Sequence, residues 1–187
     1  MNRLEAALTE DFFSRDAVTV AQDLLGCILL HEDVGGIIVE TEAYADDPAS
    51  HATLRGPRGQ LMRETHGRLY VYLIYGMHYC LNFTTDAAGP GAALIRAAAP
   101  TRGLDRMQAR AARPLPASEL ARGPGRLCRA FGIGREHNGD RVGDRVRVLP
   151  RARRPAIACS PRIGITKGRD LLWRFYIPDE PSVSRFR

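Results

Sequence analysis

Two glutamates, Glu40 and Glu42, are the carboxylates whose spacing best suits catalysis in this 187-residue sequence. They come at the end of a predicted strand, and alternate residues of a strand face the same side. Carboxylates at the rim of a sheet are suited to removing a proton from water. A solvated strand end, or an ion pair with one of the many arginines, explains the same residues, and spacing alone favours this simpler explanation.

A single arginine, Arg96, ends the apolar run 92–95, where a cation needs a carboxylate or phosphate partner. Arg96 could form an ion pair with Glu40 or Glu42, or it could hold a water against a glutamate. Both roles would give Arg96 the same neighbours. The sequence therefore leaves both roles open. Only one of the 27 basic residues, Lys167, is a lysine, so Schiff-base chemistry would depend on that residue or on the N-terminus.

Tyrosines are concentrated in the segment 70–79. Tyr70 and Tyr72 share one face of a predicted strand, where a place in the core is the ordinary expectation. Tyr75, followed by Gly76 and Met77, lies at the predicted tip of a hairpin, where burial is difficult. An aromatic side chain at such a tip is suited to wedging between stacked bases.

Charge is distributed unevenly along the chain, which has a formal net charge of +6. Residues 1–101 contain 7 Lys and Arg against 13 Asp and Glu, whereas residues 102–187 contain 20 against 8. A basic half indicates a polyanionic partner, because cations that neutralise phosphates release counterions. A basic chain that is merely soluble is the alternative that charge alone leaves open.

The composition, 44% hydrophobic and 26% charged, is typical of a globular protein. No run of about 18 apolar residues is present for a transmembrane helix. Acidic residues near the N-terminus argue against a signal peptide. We therefore expect a cytoplasmic protein, in the bacterial cytoplasm or nucleoid, or a nuclear one in a eukaryote. No metal-ligand spacing is found, so the sequence predicts no metal site and buried free thiols at four positions, Cys27, Cys80, Cys128 and Cys159.

Apolar periodicity, Gly and Pro predict one compact α+β domain over residues 1–187, with a mostly antiparallel sheet. Two hairpins are expected, the first with a turn at 33–36. Residues 46–67 are predicted as a loop with at most one helical turn. Strands are predicted at 26–30, 37–42, 69–74, 79–84, 92–96, 142–148, 162–166 and 171–177. Helices are predicted at 9–24, as one or two short helices, and at 101–131, as two helices broken at Pro114 and Pro116.

These pieces, in this order, resemble the alkyladenine (3-methyladenine) DNA glycosylase family. The resemblance extends from about residue 10 to the segment 174–176, and the block around 69–82 is the most specific. The family usually has Thr-Pro-Arg-Asn where this chain has Gly-Pro-Arg-Gly at 56–59. The matching segments are 39–44 (VETEAY), 47–51 (DPASH), 69–82 (LYVYLIYGMHYCLN), 93–97 (ALIRA), 123–128 (GPGRLC) and 162–165 (RIGI).

The resemblance implies roles for three residues around an attacking water. Glu42 matches the general base, a choice that spacing alone does not make between the two glutamates. Arg96 matches the arginine that helps to position the water. The backbone carbonyl of Ile163 matches a third contact to that water.

The resemblance also implies how a flipped nucleotide is held. The extruded base would lie between Tyr44 and Tyr72, with His51 at its edge. Asn82 matches the residue that crowds the exocyclic amino group of guanine. Tyr75 matches the side chain that fills the gap left by the flipped nucleotide, and Met77 lies next to it. Arg58 is the third residue expected to contact DNA.

The expected protein is thus a monofunctional DNA-3-methyladenine glycosylase, a monomer without cofactor or metal. Its partner would be double-stranded DNA containing damaged purines, and not a membrane. The expected sheet is curved and open-barrel-like, flanked by helices, with a protruding β-hairpin. Two other functions compete with this one: a non-catalytic damaged-DNA or RNA binding module, and a hydrolase of free nucleosides. The second would leave the basic half and Tyr75 without a purpose.

Overall fold

The computed structural model describes residues 6–54, 56–85 and 89–185, without the side chains of Pro57 and Arg58. Six α-helices lie in this part of the chain: α1 (Glu10–Phe13), α2 (Ala17–Leu24), α3 (Pro57–Glu64), α4 (Leu104–Arg110), α5 (Ala117–Leu120) and α6 (Pro124–Phe131). The strands are β1 (Ile28–His31), β2 (Val34–Tyr44), β3 (Leu69–Ile74), β4 (His78–Thr85), β5 (Gly91–Arg102), β6 (Val146–Leu149), β7 (Ala158–Ser160) and β8 (Arg174–Tyr176). The predicted α+β class is confirmed.

The strands form one curled antiparallel sheet in the order β3-β4-β5-β2-β1-β6, with β8 joining β2 to β7. Strand β2 is the centre of this sheet. It pairs with β5 along most of its length, with β1 near its start and with β8 over Glu40–Glu42. The register of the β2–β5 pair shifts near Ile38 and Glu40, and such bulges increase the local twist of a strand.

Side-chain alternation gives the sheet two different faces. One face packs its apolar residues into the main core, as Val71, Leu81 and Ile95 do on three neighbouring strands. Thr41 belongs to this face, since its hydroxyl donates to the carbonyl of Ala21 in α2 at 2.8 Å. The residues next to these along each strand face the opposite side of the sheet, where they line a cavity described below.

The first hairpin turn lies earlier than predicted. His31 pairs with Val34, so Glu32 and Asp33 form the turn, and the turn predicted at 33–36 is wrong. Gly35 and Gly36 are strand residues instead. A Cβ on Gly36 would lie 2.8 Å from the carbonyl oxygen of Ala99, so the close approach of β5 explains a glycine there.

The second hairpin, β3–β4, projects past the sheet as expected. Strand β5 pairs with β4 only over residues 82–85, and no other described strand pairs with the tip half. At the tip, Tyr75 and Gly76 have positive φ angles of 52° and 67°, and the amide of Met77 donates to the carbonyl of Ile74 at 3.2 Å.

Several other predicted elements differ from the structure. The loop 46–67 contains a 3₁₀ turn, His51–Thr53, as well as α3. Residues 101–131 contain three helices rather than two, because Gly123, with φ of 96°, and Pro124 separate α5 from α6. The strand predicted at 142–148 is shortened to β6 by a turn at Gly143. Residues 162–166 form no strand.

Cys27, Cys80 and Cys128 are buried free thiols as predicted, but Cys159 is exposed on the short strand β7. Burial raises the pKa of the Cys80 thiol to about 11. In the described part of the chain, no three potential ligands are grouped to hold a metal ion. The helices of the described residues are also too short to cross a membrane.

Candidate active site

A cavity of about 770 Å³ opens on the sheet face opposite the main core. This volume lies in the range of small-molecule and cofactor sites. Strands β2–β5, the 3₁₀ turn, the N-terminal end of α6 and the loop 163–167 surround it. The residues that the four strands contribute alternate along each strand: Tyr44, Tyr70, Tyr72, Ile74, His78, Cys80, Asn82, Ala92, Leu94 and Arg96.

The carboxylate of Glu42 lies on this face and is completely buried. Its Oε1 atom is 3.1 Å from the Nη1 atom of Arg96 and accepts a 2.7 Å hydrogen bond from the backbone amide of Ile163. Its Oε2 atom accepts a 2.8 Å hydrogen bond from the Tyr44 hydroxyl. A carboxylate oxygen has two acceptor positions. Tyr44 uses one of the two on Oε2, and no described residue donates to the second.

The neighbouring carboxylate, Glu40, is equally buried but is held by four hydrogen bonds from other partners. Its Oε1 atom accepts hydrogen bonds from Arg96 at 2.8 Å and from Arg174 at 2.7 Å. The hydroxyl of Ser184 also donates to Oε1 at 2.7 Å, and the amide of Ser184 donates to Oε2 at 2.8 Å. Burial alone would raise the pKa of Glu40, but the charges of Arg96 and Arg174 and these hydrogen bonds lower it below its usual value.

Arg96 therefore bridges the two glutamates from strand β5. Burial alone would lower its pKa, but the charges of Glu42 and Glu40 raise it, so the guanidinium remains charged. Two arginines, Arg96 and Arg174, balance two carboxylates in one buried cluster. Buried ions need such compensation, because an unpaired charge away from water is costly.

Aromatic rings form the walls of the cavity. Tyr44 and Tyr72 both line it, and the rings of Tyr70 and Tyr72 are 5.2 Å apart. Burial raises the pKa of Tyr44, and the charge of Glu42 raises it further. The Tyr44 hydroxyl therefore stays protonated and remains a donor to Glu42. Burial likewise raises the pKa of Tyr72.

Two polar side chains complete the walls. The Nδ1 atom of His51 is 2.7 Å from the Tyr70 hydroxyl, and its ring meets the Tyr72 ring edge-on with centroids 4.6 Å apart. The side-chain amide of Asn82 donates to the carbonyl of Tyr70 at 3.0 Å. This bond commits the nitrogen of Asn82 to the protein.

The rim of the cavity is basic. Four cations line it, Arg122, Arg126, Arg129 and Lys167. Glu119 pairs with Arg122 and Arg126, whereas Arg129 and Lys167 have no carboxylate partner within the described ranges. All four belong to the basic half of the chain, so the uneven charge of the sequence is concentrated here around one opening.

Comparison with known proteins decides what this combination of carboxylate, aromatic walls and basic rim belongs to. The sequence profile of the methylpurine-DNA glycosylase family matches residues 11–181. The chain belongs to this family. It is accordingly a monofunctional DNA glycosylase, a hydrolase of N-glycosidic bonds in DNA repair, and the family resemblance read from the sequence is confirmed.

Individual relatives match the chain over most of its length. A protein of Methanoculleus marisnigri is 46% identical over 93% of this chain and 96% of its own length. Proteins of Rhizobium johnstonii and Nitrosospira multiformis are 47% and 45% identical, over 93% and 92% of this chain and 87% and 91% of their own lengths. All three are provisionally named 3-methyladenine DNA glycosylases.

The structure brings most of the predicted site residues of this glycosylase together. Arg96 and Ile163 contact Glu42, and the base-binding candidates Tyr44, His51, Tyr72 and Asn82 line the cavity. Ile163 contacts the carboxylate through its amide, whereas the resemblance assigned its carbonyl to a water. Tyr75 lines the cavity and is 76% exposed, and Met77 is 68% exposed. Arg58 lies in α3, but its side chain is outside the described atoms.

Sequence reasoning did not single out the residues behind and around the site of the glycosylase. Arg174 and Ser184 hold Glu40, yet they lie 134 and 144 residues from it along the chain. For the rim cations Arg126 and Arg129 the sequence did offer a signal, because most basic residues lie after position 101. That count does not say which of the arginines face the cavity.

Proposed function

We propose that this glycosylase flips alkylated or deaminated purines out of duplex DNA and hydrolyses the N-glycosidic bond with a water activated by Glu42. The lesion class is that of 3-methyladenine, 7-methylguanine, hypoxanthine and ethenoadenine. The observation that carries the proposal is a fully buried carboxylate, held by two hydrogen bonds and one ion pair, beside a cavity walled by tyrosines. The names of the relatives agree with this substrate class.

In the proposed reaction, a water donates a hydrogen bond to the remaining acceptor position on Glu42 Oε2. Its oxygen attacks the anomeric carbon as the bond to the base nitrogen breaks, and Glu42 takes the proton. The electron pair of the broken bond leaves with the base, and the sugar becomes an abasic site. The Glu42 charge also stabilises the oxocarbenium character of the sugar. A cationic alkylpurine departs as a neutral base and needs no acid.

The cavity walls account for selection of the base. Flipping costs a few kcal/mol, and the cost is lowest for damaged or mispaired bases. Stacking on Tyr44 and Tyr72 returns about 1–3 kcal/mol per aromatic contact, and cationic purines are attracted further by the electron-rich ring faces. Asn82, whose nitrogen is held by Tyr70, is proposed to crowd the exocyclic amino group of guanine.

DNA itself is held outside the cavity in this proposal. The exposed Tyr75 fills the gap that the flipped nucleotide leaves, with Met77 beside it, while Arg58, Arg129 and Lys167 contact phosphates. The protein acts as a monomer, because one chain supplies the carboxylate, the walls and the wedge.

The test is a single-turnover base-release assay on duplexes that each contain one lesion of the four types. Wild type is expected to release the base, and Glu42→Gln to lose at least about 100-fold in rate, the usual size of a general-base contribution, while binding the lesion duplex. The matched control is Glu136→Gln, at an exposed glutamate away from the cavity, which should cleave like wild type. Wild-type rates in Glu42→Gln would overturn the role of Glu42, and no release by wild type from any duplex would overturn the substrate class.

A further inference from the structure

A buried ion pair lies directly behind the cavity wall, outside the residues that the reaction uses. The guanidinium of Arg162 grips Asp47 with two bonds, from Nη2 to Oδ1 at 2.7 Å and from Nη1 to Oδ2 at 3.1 Å. The side chain of Arg162 is completely buried and does not line the cavity. Such forked pairs fix orientation as well as charge.

The same guanidinium lies over the faces of two aromatic rings. Its Cζ atom is 4.7 Å from the ring centre of Tyr44 and 5.3 Å from that of Trp173. Because Tyr44 lines the cavity and Arg162 does not, the arginine supports the ring from its protein side. A cation packed against a tyrosine face is attracted by the electron-rich ring.

Arg162 also joins three segments of backbone. It donates to the carbonyl of Ala43 in β2 at 3.0 Å and to that of Gly168 at 3.4 Å. Its partner Asp47 accepts the amides of Ala45 and Ala49, which fixes the segment after β2. Burial alone would raise the pKa of Asp47, but Arg162 and these amides lower it, so the pair remains ionised.

Both hydrogen-bond donors to Glu42 lie next to Arg162. One is the hydroxyl of Tyr44, whose ring rests on Arg162. The other is the amide of Ile163, the residue that follows Arg162 in the chain. We propose that Arg162, held by Asp47, is a positioning residue that keeps the Tyr44 hydroxyl and the Ile163 amide on the Glu42 carboxylate. Its consequence for catalysis rests on the proposed function, but its effect on the two donors does not.

Lysine cannot replace arginine at such a site, because an ammonium has neither the fork nor the flat face. In Arg162→Lys the donors to Glu42 should be less well placed, and small displacements of catalytic groups cost up to about 100-fold in rate. We expect single-turnover base release to fall at least tenfold, with the affinity for lesion duplex reduced less than the rate. Asp47→Asn, which keeps the shape of the acceptor but removes its charge, should show a smaller loss in the same direction.

A second measurement does not depend on activity. Hydrogen exchange of the Ile163 amide, followed by NMR, reports its bond to Glu42, and should be at least tenfold faster in Arg162→Lys than in wild type. The control is Arg151→Lys, since Arg151 also pairs with an aspartate, Asp23, and bonds to a backbone carbonyl, that of Leu25, away from the cavity. It should leave both the exchange and the rate unchanged.

The outcomes separate the two proposals. If wild type releases no base, the proposed function fails, and the exchange of Ile163 still decides the role of Arg162. If Arg162→Lys retains wild-type exchange at Ile163, the positioning role is wrong. It is equally wrong if Arg162→Lys and Arg151→Lys lower the rate to the same extent, because the loss would then reflect stability alone.

Discussion

The Tyr44 hydroxyl donates to the Oε2 atom of Glu42 at 2.8 Å, so one side chain is both a cavity wall and a partner of the buried carboxylate. Because strand residues two apart share a face, this contact follows from the spacing of the two residues. The ring of Tyr44 and its hydroxyl therefore have separate roles, and different substitutions can remove one without the other.

Tyr44→Phe should keep the stacking wall but lose the hydrogen bond to Glu42. We expect lesion-duplex affinity within about twofold of wild type and base release slowed about tenfold, because Glu42 is held by fewer donors. Tyr44→Ala should in addition lose affinity by about 5- to 150-fold, the equivalent of one stacking contact. Titration binding and single-turnover rates on the same duplex measure the two effects. Equal affinities for both variants would show that the ring does not stack on the base.

Loss of the Arg96 charge should lower the stability of the folded protein. Arg96→Gln leaves Glu40 and Glu42 with one cation between them, and breaking a buried pair costs about 3–5 kcal/mol. Arg96→Lys keeps the charge, so it should be more stable than Arg96→Gln. Because an ammonium lacks the fork that reaches both carboxylates, its rate of base release should still fall at least tenfold. Thermal unfolding and base release test this order. A Gln variant as stable as the Lys variant would contradict it.

Tyr75 combines exposure with a positive φ of 52°, an arrangement that a bulky residue rarely adopts. Tyr75→Asn should therefore be as stable as wild type or more stable by up to about 1 kcal/mol. Its affinity for lesion duplex should fall at least about fivefold, because the wedge is gone. Asp179→Asn changes another positive-φ residue, with φ of 60°, and should leave DNA binding unaltered. Unchanged affinity in Tyr75→Asn would exclude the wedge.

Two buried histidines should make stability depend on pH. His31 Nδ1 donates to the carbonyl of Phe131 at 2.8 Å, so its Nε2 accepts from the Nε2 of His137 at 3.1 Å, and His137 Nδ1 accepts the amide of Gly134. This arrangement is complete only when both rings are neutral. Burial lowers the pKa of His137, and the nearby His31 and Arg145 lower it further, against the opposing charge of Glu136.

Because the folded pKa of His137 lies below the unfolded value of 6.5, the unfolded chain binds more protons between those two values. The stabilisation is complete above pH 6.5 and is lost as the pH falls towards the folded pKa. Paired carboxylates such as Glu40, whose pKa is also lowered, act in a separate window below about pH 4.5. The midpoint of thermal unfolding should thus decrease between pH 7 and 5 in wild type, and decrease less in His137→Gln. Identical slopes would contradict the role of this pair.

Local patterns were sufficient for the part of the site that lies on regular strands. The β-rich runs at 69–74, 79–84 and 92–96 predicted three strands of the sheet, and the period of two placed Tyr70 and Tyr72 on one face. Patterns failed at residues 162–166, where an apolar sequence predicted a strand. There the amide of Ile163 binds Glu42 and the guanidinium of Arg162 binds Asp47, while Gly164 has a φ of 78°. A backbone amide that is bonded to a distant side chain cannot also join the hydrogen-bond ladder of a sheet.

The choice between Glu40 and Glu42 illustrates the same limit. Both glutamates occupy the same face of β2, so no local rule separates them. Their difference arises from Tyr44 on one side and from Ser184 on the other. Only the resemblance to the family selected Glu42 in advance.

The bonds from Ser184 to Glu40 also have a consequence for synthesis on the ribosome. A nascent chain that has not yet released residue 184 from the exit tunnel carries Glu40 without two of its donors, next to the arginine that orients Glu42. We therefore expect the enzyme to gain its full activity only after Ser184 has left the exit tunnel. A message cleaved before this codon would yield a polypeptide that lacks two of the four hydrogen bonds to Glu40.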